Sequence, residues 1–123
     1  MLNRKMNSKI KSKIKSPTEL ELICSKLRRK KSLLVFTNGC FDILHPGHVT
    51  YLEESRTKGD VLIVAVDTDA AVKKQKGHTR PVNDLESRMT VLAALESVSY
   101  VTWFSSGNPV PTILKLKPNV LVK

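Results

Sequence analysis

Two kinds of apolar pattern alternate along this chain. Short unbroken apolar runs occur in "SLLVFTNG" (32–39), "DVLIVAVD" (60–67), "SYVTWF" (99–104) and "NVLVK" (119–123). Runs of that length, rich in Val and Ile, predict strands buried on both faces. Between and before them, apolar residues recur at helical spacing. Leu20, Ile23, Cys24 and Leu27 follow Ser16-Pro17-Thr18-Glu19. There Ser16 can cap a helix, Pro17 suits its first position and Glu19 completes a capping box. This helix is expected to run to about Lys31, because five basic residues among 26–31 suit its negative end. A second helix is expected from Pro46 or Gly47 through "HVTYLEESRTKG", stopping at Gly59. "TDAAVKKQ" reads as a short third helix, and "DLESRMTVLAALES" as a fourth, with Asn83 and Glu86 as its cap pattern. "NPVPTILKLK" gives a fifth, while polar "KGHTRPVN", with its Gly and Pro, reads as a loop.

Strand and helix therefore alternate four times, which predicts an α/β, doubly wound parallel sheet with right-handed crossovers. Ligands of such sheets bind outside the carboxyl ends of the strands, near the switch point. No repeat and no internal linker interrupts the pattern, so residues 17–123 read as one domain. Residues 1–16 read as a basic, solvated, disordered tail.

Charge changes this picture less than its total suggests. The formal charge is +10, but residues 1–31 hold 11 Lys/Arg against 2 Asp/Glu, and residues 32–123 hold 10 against 9. The folded body is thus nearly neutral, which argues against a nucleic-acid-binding surface. No stretch is long and apolar enough for a signal peptide or a membrane span. Two cysteines, Cys24 and Cys40, lie in unrelated contexts without metal-ligand spacing. A reduced, cytoplasmic chain accounts for them most simply.

The chemistry concentrates in "TNGCFDILHPGH" (37–48), where the first strand hands over to the second helix. Small residues at such a turn let backbone N–H groups approach an anion, and the helix adds its positive end. Gly39 permits close approach to the backbone, and Gly47 keeps the helix start open. His45 and His48, three apart, sit on adjoining sides of the first helical turn, where both can donate to phosphate oxygens. A metal pair would lack a third ligand. Asp42 reads as an acceptor that fixes the turn, and Cys40 as a packing residue without a base to activate it.

"GCFDILHPGH" resembles the GxFDxxHxGH signature of the HxGH nucleotidyltransferases. Through "YLEESRTKGDVLIVAVDTD", "KGHTRPVNDLESRM", "VLAALESVSYV" and "PNVLVK", the chain is similar to their sugar-phosphate adenylyltransferase branch, those acting on heptose 1-phosphate. The resemblance covers roughly residues 33–123 and implies a Rossmann-like fold. It implies transfer of AMP from ATP to a sugar 1-phosphate with release of pyrophosphate, in ADP-heptose and lipopolysaccharide core synthesis. Mg²⁺ would be carried by the ATP phosphates, with no protein metal site. His45 and His48 would stabilise the transition state. Thr37, Gly39, Cys40, Phe41 and Gly47 would bind the nucleotide.

Lys73 and Lys76 would take the triphosphate or the incoming phosphate, with Lys74 on a solvated face. Arg80 would act as a phosphate clamp in its loop. Arg88, two after Glu86, resembles the E-x-R of related transferases and would position substrate. Otherwise it is a surface residue. Asp67 or Asp69 would contact ribose or substrate, Asp69 serving alternatively as an N-cap. Members commonly self-associate, so a homo-oligomer is an open expectation.

The family pattern continues past Leu-Val-Lys with a Gly-Gly-Asp-Tyr-like turn and an Arg…Gly…Ser-Thr-Thr segment. The sequence ends at Lys123, so the domain is expected to lack its last elements. Two further readings stay open: a cytidylyltransferase of glycerol- or ethanolamine-phosphate type, and a non-catalytic nucleotide-binding remnant.

Overall fold

Alternate residues of the two central strands feed two separate cores. The computed structural model describes residues 9–105 and 107–123. Strands β1 (Leu34–Gly39), β2 (Val61–Asp67), β3 (Tyr100–Phe104) and β4 (Val120–Leu121) form one sheet in the order β3-β2-β1-β4. Every pairing is parallel, with Val35 opposite Leu62, Gly39 opposite Val66, and Val35 also opposite Val120. They are joined or flanked by the helices α1 (Pro17–Arg29), α2 (Pro46–Arg56), α3 (Asp69–Lys76), α4 (Leu85–Ala93) and α5 (Val110–Leu116).

Val35, Leu62, Val64 and Val66 pack with Leu52 of α2 and with Met89, Leu92 and Ala93 of α4. On the other face, Leu34, Phe36, Ile63 and Ala65 pack with Leu20 and Cys24 of α1 and with Leu116 of α5. The sheet is doubly wound, as the strand–helix alternation predicts. Chain direction explains the split. From β1 the chain steps outward to β2 and β3 with its helices on one face, then reverses to β4. A right-handed crossover then demands the opposite face for α5. Truncating one fully buried leucine, such as Leu52, removes about 2–5 kcal/mol from such a core.

The expected capping box of α1 forms, since Ser16 accepts from the Glu19 N–H at 3.2 Å and Glu19 accepts from the Ser16 N–H at 3.1 Å. Several boundaries differ from the sequence expectation. α1 ends at Arg29 and Lys31 turns left-handed at φ 63°. α2 ends at Arg56 rather than Gly59, its cap being Thr57. The cap of α4 is Asp84, which accepts from the Ser87 N–H at 2.8 Å. Asn83 is not the cap, because both its backbone N–H and its amide group are held by Asp42.

The largest departure lies in the basic tail. Residues 1–8 are outside the described residues. Residues 9–16 are not a solvated extension. Ile14 forms a parallel bridge to Val101 of β3, and the Lys15 N–H and Lys13 carbonyl bond Val101 at 2.9 Å each. Ile10 and Ile14 pack on the α2/α4 core. Lys13 Nζ reaches the Leu95 carbonyl at 3.0 Å, and burial lowers its pKa, with Lys9 adding to this and Glu96 opposing. The isoleucines spaced among the lysines thus cover the outer edge of the sheet.

Candidate active site

The backbone leaves β1 through an unusual turn. Phe41 adopts φ +52°, a left-handed conformation costly for an aromatic residue, and its ring is buried in the α2/α4 core. Core burial of the ring holds the turn in place. The ring meets His48 edge-on, with centroids 5.9 Å apart. The next residue, Asp42, folds back as a bracket. Its Oδ1 accepts from the Asn83 N–H and its Oδ2 from the Val82 N–H, both at 2.8 Å. Arg80 adds an ion pair at 3.4 Å from a side chain that is half exposed. Burial raises the Asp42 pKa, but these donors outweigh it and hold the carboxyl below its ordinary value. The expectation that Asp42 fixes the turn is met.

His45 caps α2 through its imidazole. Its Nδ1 accepts from the Gly47 N–H at 3.0 Å, and His48 Nδ1 accepts from the His45 N–H at 3.2 Å. The two rings lie with centroids 4.1 Å apart. Because each Nδ1 is an acceptor, the neutral rings carry their protons on Nε2. Burial, then the charge of His45, lowers the His48 pKa, so that ring is neutral near pH 7. Two Nε2–H donors therefore sit at the positive end of α2. Gly47 is required by this arrangement, since a Cβ there would lie 2.7 Å from His45 Cε1. A Cβ on Gly39 would meet the Phe41 ring at 3.0 Å.

Behind the turn, Arg88 is buried, with 1% of its surface exposed. Its Nε donates to the Asn83 carbonyl at 2.9 Å, Nη1 to the Cys40 carbonyl at 2.8 Å and Nη2 to Asp69 Oδ1 at 2.7 Å. Arg88 is thus neither a surface residue nor a side chain held out to substrate, and it positions the motif from beneath. Asp69 is not the N-cap of α3. That role falls to Thr68, whose Oγ1 accepts from the Ala71 N–H at 3.4 Å.

Thr37 corrects a second expectation. It is buried, and its hydroxyl hydrogen-bonds the Tyr51 hydroxyl, which in turn donates to the Val122 carbonyl at 3.3 Å. Thr37 joins β1 to α2 and the end of β4 rather than presenting a group to a nucleotide. No sequence signal singles out Tyr51, because its partners Thr37 and Val122 lie on other elements.

Lys73 and Lys76 are exposed on α3, and the charge of Lys76 acts on Asp67. Cys40 is half buried with its carbonyl held by Arg88. Burial pushes the Cys24 thiol up to about 11 despite Arg28, which leaves it inert at neutral pH. Beyond the ends of β1 and β4 lies an open hollow of about 480 Å³ lined by Asn38, Tyr51, Pro109, Val122 and Lys123. This is the switch point of the sheet.

A parallel sheet in this order, with paired imidazoles at the helix mouth after β1, defines a nucleotidyltransferase-type domain. The chain belongs to the cytidylyltransferase-like family, whose profile matches residues 36–123. Among curated relatives, it is 52% identical over 105 residues to the bifunctional protein HldE of Aliarcobacter butzleri, covering 85% of this chain and 22% of that protein. The HldE of Campylobacter concisus matches all of the chain at 48% identity, over 26% of its own length. The chain therefore spans about a quarter of these relatives. A lipopolysaccharide core biosynthesis protein from Thermoplasma volcanium superposes with a TM-score of 0.66 at 33% identity, covering 73% of this chain and 72% of that one. A pantoate-β-alanine ligase from Francisella tularensis, at 23% identity and a TM-score of 0.57 over 80% of this chain and 37% of that one, shares the fold.

Among the described residues, no helix is long and apolar enough to cross a membrane.

Proposed function

We propose that this domain transfers AMP from ATP to a sugar 1-phosphate, heptose 1-phosphate, releasing pyrophosphate. In that reading it serves ADP-heptose and lipopolysaccharide core synthesis in the cytoplasm. The observation that carries the chemistry is the histidine pair, with both Nδ1 atoms occupied by backbone N–H groups. Both Nε2–H donors are thereby committed before substrate arrives. The substrate class is supported by the HldE relatives and by the Thermoplasma protein named for lipopolysaccharide core biosynthesis.

An acceptor phosphate oxygen attacks the α-phosphorus, one P–O bond forms, and the bond to pyrophosphate breaks. The attacking oxygen is already an anion, so no base has to remove a proton. Catalysis then consists of positioning and of stabilising charge on the phosphoryl oxygens. His45, His48 and the N-terminus of α2 supply that stabilisation. Gly39 and the Cys40–Phe41 backbone border the α-phosphate. Lys73 and Lys76, exposed on α3, take the phosphates as cations, and Arg80 joins them as a clamp by releasing the Asp42 carboxylate that it pairs with at 3.4 Å. Among the described residues, no three His, Cys, Asp or Glu side chains are grouped to hold a metal. In this reading Mg²⁺ arrives on the triphosphate and shields its charge.

The test is pyrophosphate release with ATP, Mg²⁺ and heptose 1-phosphate, repeated with CTP. Release with ATP that depends on the sugar phosphate supports the reading. Preference for CTP would move the domain to the cytidylyltransferases. Nucleotide binding without pyrophosphate release would make it a binding remnant.

A further inference from the structure

A buried carboxylate at the end of β2 has an oxygen without a partner. Asp67 is the last residue of β2 and only 7% exposed. Among the described residues, nothing donates a hydrogen bond to its Oδ1. Buried acceptors are normally satisfied, and an orphan at the functional end of a sheet marks a place where a donor is missing. Burial raises the pKa of this carboxyl, with Arg88 and then Lys76 opposing. Arg88 does not supply the missing bond: its Nε, Nη1 and Nη2 donate to Asn83, Cys40 and Asp69, and none of them is bonded to Asp67 Oδ1.

Its position in the sheet says which ligand passes it. Val66 pairs with Gly39, so Asp67 is one residue beyond the point where the histidine motif leaves β1. The strand order β3-β2-β1-β4 puts it on the β2 side of the motif, across β1 from the hollow at the β1/β4 switch point. Two substrates must converge on one phosphorus at the histidines. A nucleotide in the switch-point crevice leaves the β2 side to the acceptor. A carboxylate there repels a phosphate but accepts readily from hydroxyl groups.

We propose that Asp67 is a specificity-determining residue for the acceptor, accepting hydrogen bonds from the hydroxyl groups of a polyhydroxylated phosphate monoester. The inference rests on the nucleotidyl-transfer reading and adds to it the group that tells a sugar phosphate from a simple phosphate.

The experiment is a calorimetric titration of the chain and of Asp67→Asn, both saturated with a non-hydrolysable ATP analogue. The probes are mannose 1-phosphate and methyl phosphate, which share the phosphate and differ in hydroxyl groups. The unsubstituted chain is expected to bind mannose 1-phosphate at least tenfold more tightly than methyl phosphate. Asp67→Asn is expected to lose about tenfold of that preference with affinity for the ATP analogue unchanged. Asp67→Ser, with near-ultraviolet circular dichroism as a check on folding, serves as the second variant and should lose the preference likewise. Equal binding of the two phosphates by the unsubstituted chain, or a preference kept in both variants, overturns the proposal while the nucleotidyl-transfer reading stands. Failure of the ATP analogue to bind overturns that reading and the proposal with it.

Discussion

Arg88 Nη1 donates to the Cys40 carbonyl across 2.8 Å, from a side chain with no exposed surface. One guanidinium thereby ties the turn after β1 to the loop before α4 and to the start of α3. The Asp69 end of this network is 42% exposed and contributes little, so the buried carbonyls of Cys40 and Asn83 carry most of its value. Arg88→Leu is expected to cost about 2–5 kcal/mol in urea denaturation, since both carbonyls lose their charged donor. Arg88→Lys should recover only part of this, because one ammonium cannot span three acceptors.

His45→Asn separates the two jobs of that residue. Asparagine is a good N-cap and can still accept from the Gly47 N–H, so thermal stability should stay within about 0.5 kcal/mol. The Nε2 donor is lost, and kcat for pyrophosphate release should fall about 10²–10³-fold. A fall in stability of equal consequence would mean that the ring is there chiefly to cap.

Gly47→Ala should cost activity with little net change in stability. Alanine favours the helix by about 1 kcal/mol, but its Cβ would sit 2.7 Å from His45 Cε1 and push the ring from its capping bond, which costs about as much. The expected result is a melting temperature nearly unchanged and a kcat reduced about tenfold or more.

Asp42 predicts an acid limb. Its folded pKa lies below the ordinary carboxylate value because Asn83, Val82 and Arg80 donate to it against the penalty of burial. A depressed folded pKa means that the stabilisation is fully present above the unfolded value near 3.9 and is lost as pH falls through the folded one. Asp42→Ala should cost about 2 kcal/mol or more at pH 7. Its stability should then fall less steeply on acidification than that of the unsubstituted chain, as read by denaturation at several pH values.

Ile14→Asp tests the docked N-terminal segment. Removing the apolar contact with the α2/α4 core and placing a charge there should cost about 1–3 kcal/mol. Hydrogen exchange at the Val101 amide, bonded to the Lys13 carbonyl, should accelerate.

The sequence by itself determined the architecture. Four apolar runs alternating with helical periods leave few parallel topologies, and a Gly-rich turn with two histidines at a strand–helix junction marks the candidate site. These are local signals, since periodicity and capping chemistry act over a few residues. The tertiary structure decided what each polar side chain does. Arg88 reads as a surface or substrate-facing residue until α4 is seen to pack beneath the Cys40 turn. Thr37 reads as a nucleotide contact until Tyr51 and Val122 meet it. Asn83 and Asp84 compete as caps, and Asp42, 41 residues away from Asn83, settles the matter by holding it. The lysine-rich tail conceals two isoleucines whose partners lie on β3 and α4. In every case the deciding partner is distant in sequence. A polar group's role follows from which donor or acceptor folding brings within about 3 Å, and only the packed sheet and its helices fix that.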